Sequence, residues 1–231
     1  MKTLITSGQI AQAGTFVADA GRKTTETLLQ DINAKGQAGT FDMQRFFTGG
    51  TRIKNAIAEA VRKEILAVAM GVVGVLKLIS AGKKISIAAT SGKWTIAKAK
   101  KTFPGSPDSD FVNYGCDVAG EAKPATLTEV YEMTDDGDFN RIFGGFGVNL
   151  DLLRFTKDQI IEFAETQSEW LRQEGYGTLF LYKVGNEFFV ASVYVHGDGL
   201  SVYAGRFSYV SVWRAEYRHR VVVPQLALVS N

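Results

Sequence analysis

Between residues 177 and 207 the apolar positions fall into three runs separated by two turn signals, a pattern that predicts a β-meander. The first run, 178–184, meets Gly185-Asn186, a pair that tolerates the positive φ angles of a tight hairpin. The second run covers 188–195, and His196-Gly197-Asp198-Gly199 turns the chain again. In the second run Phe189, Ala191, Val193 and Val195 share one face, while Phe188, Val190, Ser192 and Tyr194 share the other. Both faces are mostly covered, so this run is expected to be the central strand of a C-terminal sheet. Further strands are expected at 210–214 and 221–229, with Pro224 placing the last at an edge.

Helical spacing dominates elsewhere. Thr156-Lys157-Asp158-Gln159 fits a capping box ahead of Ile160, Ile161, Phe163, Ala164, Trp170 and Leu171, and Gly175 and Gly177 stop that helix. Residues 8–33 read as a weak helix, since Gly14 and Gly21 each cost about 1 kcal/mol relative to Ala. A glycine-punctuated loop carrying Phe41, Met43, Phe46 and Phe47 follows. A stronger helix is predicted over 51–80, with Ile53, Ile57, Val61, Ile65, Val68, Val72, Val75 and Ile79 as one stripe and Gly82 as its cap. Its second half is apolar nearly all round, which suits the interior of this fold or of an oligomer. The middle of the chain reads as a strand at 84–89, a helix at 95–103 stopped by Pro104, and an ordered loop to Pro124 anchored by Phe111, Tyr114 and Val118. A short strand at 127–133, a turn at 134–138 and a flexible joint at Gly144-Gly145-Phe146-Gly147 complete it.

The fold class expected is α+β: a helical N-terminal part, then a helix packed on an antiparallel β-meander sheet. Three segments are expected: 1–82 as a helical oligomerisation part, 83–148 as a connector, and 149–231 as the α+β unit.

Composition adds limits. With 231 residues, 45% hydrophobic and 22% charged, the chain can bury a large core and is not dominated by disorder. Its one cysteine, Cys116, excludes an internal disulfide and any multi-cysteine zinc site, and fits a reducing compartment as a small buried residue. The start, Met1-Lys2-Thr3-Leu4-Ile5, lacks the apolar core of an export signal, and the longest uncharged apolar run, 65–76, is short of the roughly 18 residues a membrane span needs. Cytoplasmic location without a membrane span is therefore expected. Net charge of +2 conceals an asymmetry: residues 52–101 hold eleven Lys or Arg against two Glu, and 106–138 hold nine Asp or Glu against Lys123 alone. Those blocks can attract each other within or between copies, and the first can attract a polyanion.

From about residue 108 onward, the strings Asp108-Ser109-Asp110-Phe111, Val130-Tyr131-Glu132-Met133, Gln159-Ile160-Ile161-Glu162-Phe163 and Phe188-Phe189-Val190-Ala191 accompany a distinctive tail. That tail runs Trp213-Arg214-Ala215-Glu216-Tyr217-Arg218-His219-Arg220-Val221-Val222-Val223-Pro224-Gln225-Leu226. On these residues the C-terminal half resembles a group of uncharacterised bacterial proteins of the candidate-phylum kind. The resemblance implies no activity, ligand or site residue.

Candidate chemistry is sparse. Ser91-Gly92-Lys93 lacks a phosphate loop's other positions, which Ile87 and Trp94 occupy. Asp135, Asp136 and Asp138 lack the alternation of a calcium loop. Two histidines, His196 and His219, leave no three-histidine metal site, and neither His219 with Glu216 and Tyr217 nor His196 with Asp198 comes with a nucleophile. No catalytic residue, metal site or cofactor is assigned. Glu216, Arg218 and Arg220 read best as an ion-pair face. Lys83, Lys84, Lys93, Lys98, Lys100 and Lys101 surround Trp94, offering phosphate partners and one stacking ring.

These patterns favour a non-enzymatic assembly or interaction protein of the particle-forming or virion kind, self-associating as a homo-oligomer. The expected interface is Phe46, Phe47, Ile65, Val68, Gly71, Val72, Gly74 and Val75. The alternatives are a nucleic-acid-binding protein using the 83–101 block, and a hydrolytic enzyme of unknown class.

Overall fold

The structure, a computed structural model, describes residues 72–105 and 107–226. They belong to the second of the two units into which the chain divides, Ala67–Asn231. The helix expected over 8–33, the aromatic loop after it and most of the 51–80 helix lie outside the described residues. So do the expected interface residues Phe46, Phe47, Ile65, Val68 and Gly71, together with the side chain of Val72.

The described chain is an α+β fold built on one eight-stranded sheet. Its strands are β1 (Val72–Val73), β2 (Leu76–Leu78), β3 (Ile85–Ile87), β4 (Thr126–Met133), β5 (Gly177–Val184), β6 (Glu187–His196), β7 (Gly199–Arg206) and β8 (Arg220–Pro224). The order is β1-β2-β4-β8-β5-β6-β7, with β3 also paired to β4. Every pair is antiparallel except β5 with β8. Strands from all three expected segments thus enter one sheet. The α-helices are α1 (Asp110–Asn113), α2 (Phe139–Gly144) and α3 (Lys157–Thr166). None among the described residues is long and apolar enough to cross a membrane.

Alternation along the strands divides the interior into two cores. Val222, Phe180, Tyr182, Val130, Phe189, Ala191 and Val193, with Ile85 and Ile87 of β3, face one side, where Ile160, Phe163 and Ala164 of α3 and Phe111 of α1 cover them. Val221, Val223, Leu179, Leu181, Tyr131, Met133 and Val190 face the other, covered by Phe139, Ile142 and Phe143 of α2 and by Val75, Leu76 and Leu153. The period of two makes this division unavoidable for a strand buried on both sides. Helix α3 begins as its capping box predicts: Gln159 N donates to Thr156 Oγ1 at 3.3 Å, and Thr156 N donates to Gln159 Oε1 at 3.0 Å. The meander also forms as read, with two-residue loops at Gly185-Asn186 and Gly197-Asp198.

Several expectations are corrected. Helix 51–80 does not continue to Ser80, because residues 72–78 form the β1–β2 hairpin. Val72, Val73 and Val75 are β-branched and two glycines interrupt the run, which disfavours a helix. Gly74 takes φ +59° in the turn, and a Cβ there would stand 3.0 Å from Gly145 Cα. Gly74 therefore packs against the supposed joint within this chain while staying exposed, and Val75 is buried in the second core. Strand β6 is next to the edge strand β7, while β8 lies in the middle. Pro224 does not mark an edge: it ends β8 opposite Thr128, beyond the three residues that pair with β5, and so interrupts no ladder. The run 210–214 is no strand, having only an isolated bridge from Trp213 to Gly137. Residues 95–103 keep helical spacing of buried Ile96, Ala99 and Phe103 but wind only one 3₁₀ turn, Ile96–Lys98. Phe111 is the anchor expected of the 104–124 loop, whereas Val118 is exposed.

Phe180 is fully buried on β5, with ring centres 5.2 Å from Phe163 and 5.9 Å from Phe155. Phe180→Ala is expected to cost about 3–5 kcal/mol in urea unfolding. A loss below about 1 kcal/mol would mean that α3 is not held to the sheet through this contact.

Candidate functional site

The basic segment lies along one continuous stretch of structure. Lys83 and Lys84 precede β3, Lys93 and Trp94 stand on the loop after it, and Lys98, Lys100 and Lys101 surround the end of the 3₁₀ turn. All six lysines are exposed and Trp94 is 60% exposed, while the intervening Ile85, Ile87, Ile96 and Phe103 go inward. The apolar residues thus fix the backbone and leave the cations in water. Lys98 lies 4.0 Å from Asp117. The other five lysines pair with no carboxylate among the described residues.

The acidic block is occupied elsewhere. Asp135 pairs with Arg141 at 2.6 Å, Asp136 with Arg214 at 3.0 Å, Glu132 with Arg218 at 2.7 Å, and Glu121 with Lys123 at 2.7 Å. Hydrogen bonds from Ala215 N and Arg214 hold the Asp136 carboxyl below the usual carboxylate range. The Glu132–Arg218 pair realises part of the ion-pair face expected of the tail, to which Glu216 adds no bond. Apart from the Lys98–Asp117 contact, the expected attraction between the two blocks is absent among the described residues.

The loop that presents Lys93 and Trp94 is tightly held. Gly92 N donates to Asp158 Oδ2 at 2.7 Å, Ser91 Oγ donates to the same oxygen at 3.2 Å, and Gly120 N donates to Gly92 O at 2.8 Å. Gly92 has φ +75°, and a Cβ would meet Glu121 backbone at 2.4 Å. Only glycine fits this approach. The carboxylate of Asp158, in the first turn of α3, takes the backbone donor that a phosphate would need, so the rejected phosphate-loop reading has a structural reason.

His219 sits in an aromatic box on the same tail. Its ring lies edge-on to Trp213 at 4.7 Å, Tyr217 at 5.8 Å and Tyr176 at 6.1 Å, and Gly177 N donates to its Nδ1 at 3.1 Å. Burial pushes its pKa below the ordinary histidine value, and the nearby Arg172 charge lowers it further. Among the described residues neither Glu216 nor any other carboxylate bonds it, and Tyr217 stacks on Tyr176 at 5.0 Å. His196 is exposed in the β6–β7 turn and stacks on Tyr194. The acid–base pairs weighed for a hydrolase are therefore not assembled, and the described residues hold no group of three or more His, Cys, Asp or Glu that could bind a metal.

A third group had no signal in the residue pattern. Lys157, Tyr182 and Cys116 lie together by the first turn of α3, all buried, and among the described residues the Tyr182 hydroxyl meets hydrogen-bond geometry with no partner. A lysine inside a capping box reads as solvated, and only the fold places it inside. No family model, curated protein or solved structure matches the chain.

His219 makes stability depend on pH. Its folded-state pKa is depressed, so the unfolded chain binds the proton first and stability falls as pH drops below about 6.5. The urea midpoint should fall between about pH 7 and pH 5, and His219→Gln should flatten that slope. Equal slopes in the two proteins would show that His219 does not carry the effect.

Proposed function

We propose that the protein is an interaction protein that binds single-stranded nucleic acid through the 83–101 segment. What supports the reading is that Lys83, Lys84, Lys93, Lys100 and Lys101 are exposed and unpaired among the described residues, around a Trp94 ring open to solvent. Phosphates supply partners for such lysines, and displaced counterions drive binding; an exposed indole beside them stacks on any base. The pairing of Glu132, Asp135 and Asp136 with arginines favours this reading, since these acids do not neutralise the lysines from within.

Binding is expected to show in fluorescence anisotropy of a labelled single-stranded oligonucleotide, with log Kd rising linearly with log salt. Lys98→Glu, Lys100→Glu and Lys101→Glu together should weaken it and flatten the salt slope. Trp94→Ala should weaken it by about 1–3 kcal/mol. Absent or salt-independent binding at low ionic strength removes the proposal.

Self-association is the second reading, favoured by a separate observation. Tyr209, Val210 and Val212 form an exposed apolar run beyond β7, with Val210 78% exposed. Such an exposed apolar run suits contact with a second copy. Light scattering of the full chain should give a mass above one chain at micromolar concentration, reduced by Val210→Ser with Val212→Ser. A monomer would end this reading and leave the first intact.

A further inference from the structure

We propose that Lys157 is a nucleophilic amine that forms an imine with small aldehydes, with Tyr182 supplying the proton to the carbonyl oxygen. The proposal rests on an unusual placement. Lysines normally bury the stem and keep the ammonium in water. Lys157 is only 4% exposed, and it pairs with no carboxylate among the described residues. Its Nζ lies 5.9 Å from the centre of the Tyr182 ring. It is also the first residue of the ten-residue helix α3, whose N-terminal end disfavours a cation.

The second observation is the phenol. Tyr182 is fully buried between Phe111 and Phe189, at ring distances of 6.2 and 5.6 Å, and among the described residues its hydroxyl meets hydrogen-bond geometry with no partner, its one polar interaction being with the weakly bonding Cys116 thiol. The Cys116 thiol is its polar neighbour, without meeting hydrogen-bond geometry. A fully buried hydroxyl without a partner forfeits on the order of 1–3 kcal/mol, a loss that a carbonyl oxygen bound there would remove.

One apolar setting acts differently on the three groups. Burial pushes the Lys157 amine down, opposed by Cys116 and Asp117, and so favours the neutral nucleophile. Burial pushes the Tyr182 phenol well up, so it keeps its proton. Burial also raises the Cys116 thiol, with Tyr182, Lys157 and Arg206 opposing and Glu187 assisting. The thiol donates to Tyr114 O at 3.9 Å and, held protonated, is the weaker nucleophile. A neutral amine beside a protonated acid is the pair that carbonyl addition requires.

In the reaction the Lys157 nitrogen lone pair attacks the carbonyl carbon as the Tyr182 hydroxyl relays a proton, passing its own to the carbonyl oxygen while taking one from the nitrogen, so that no buried phenolate forms. The product is a carbinolamine, and loss of water leaves the C=N bond. Amine and aldehyde thus become imine and water, with no oxidant or reductant. With Lys157 only 4% exposed, the proposal extends to small aldehydes alone.

The test treats the full chain with dilute acetaldehyde and cyanoborohydride at neutral pH and follows ethylation by peptide mass mapping. Lys157 should be modified before the exposed Lys83, Lys93 and Lys100. Tyr182→Phe, which keeps the ring, should slow reaction at Lys157 about a hundredfold and leave the exposed lysines unchanged. Lys157→Arg should abolish the early adduct. Modification of Lys157 no faster than the exposed lysines, or an unchanged rate in Tyr182→Phe, would overturn the proposal. Neither result bears on nucleic-acid binding, which uses other residues.

Discussion

The insertion of β8 between β4 and β5 is the constraint on which the rest of the structure depends. Arg220 to Pro224 pair antiparallel with Thr128 to Glu132 on one side, and Arg220 to Val222 pair parallel with Thr178 to Phe180 on the other. Among the described residues this strand is the only bridge between the β1-β2-β3-β4 half of the sheet and the meander β5-β6-β7. Its three valines are fully buried and alternate between the two cores, so one five-residue strand joins both layers as well as both halves. Such a join is non-local, since the contacts of β4 with β8 span about ninety residues of chain and carry the associated loop-closure entropy.

The positions of the chemically interesting groups follow from this join. Entry into β8 sets His219 against Gly177 at the start of β5, and Met133 N donates to His219 O at 2.9 Å, so the aromatic box marks the strand's N-terminal end. The parallel pair holds β5 under α3, and through Phe180 and Tyr182 it fixes the surface on which Lys157 is buried. Packing of β3 and the 3₁₀ turn into the same core turns the 83–101 lysines outward. The edge strand β7 is shielded rather than open: Gly105 N and Asp108 N donate to the Leu200 and Val202 carbonyls at 3.2 and 2.9 Å, and Tyr209 N donates to Arg206 O at 3.0 Å. Occupied carbonyls blunt an edge that would otherwise template pairing.

What could be read from the residues was local. The hairpin turns, the capping box of α3 and the burial of Cys116 are decided by neighbours in sequence, and they were legible. The central place of β8 was not, because Pro224 suggests an edge and only the register shows that it lies past the last parallel pair. The hairpin at 72–78 was hidden by a valine spacing that suits a helix as well as a strand, and the deciding contact, Gly74 on Gly145, is seventy-one residues away. The exposed lysines were legible as a charge run, but their freedom from the acidic block depends on arginines up to eighty-six residues from their partners. Burial of Lys157 reflects the loops folded over α3, which no periodicity records.

Native-state hydrogen exchange at the β8 amides tests this account most directly. If β8 joins the two halves, Val221, Val222 and Val223 amides should exchange only through global unfolding, with the same free energy and denaturant dependence as unfolding of the whole unit. Exchange of those three amides through a smaller opening, while β6 and β7 remain protected, would contradict the account.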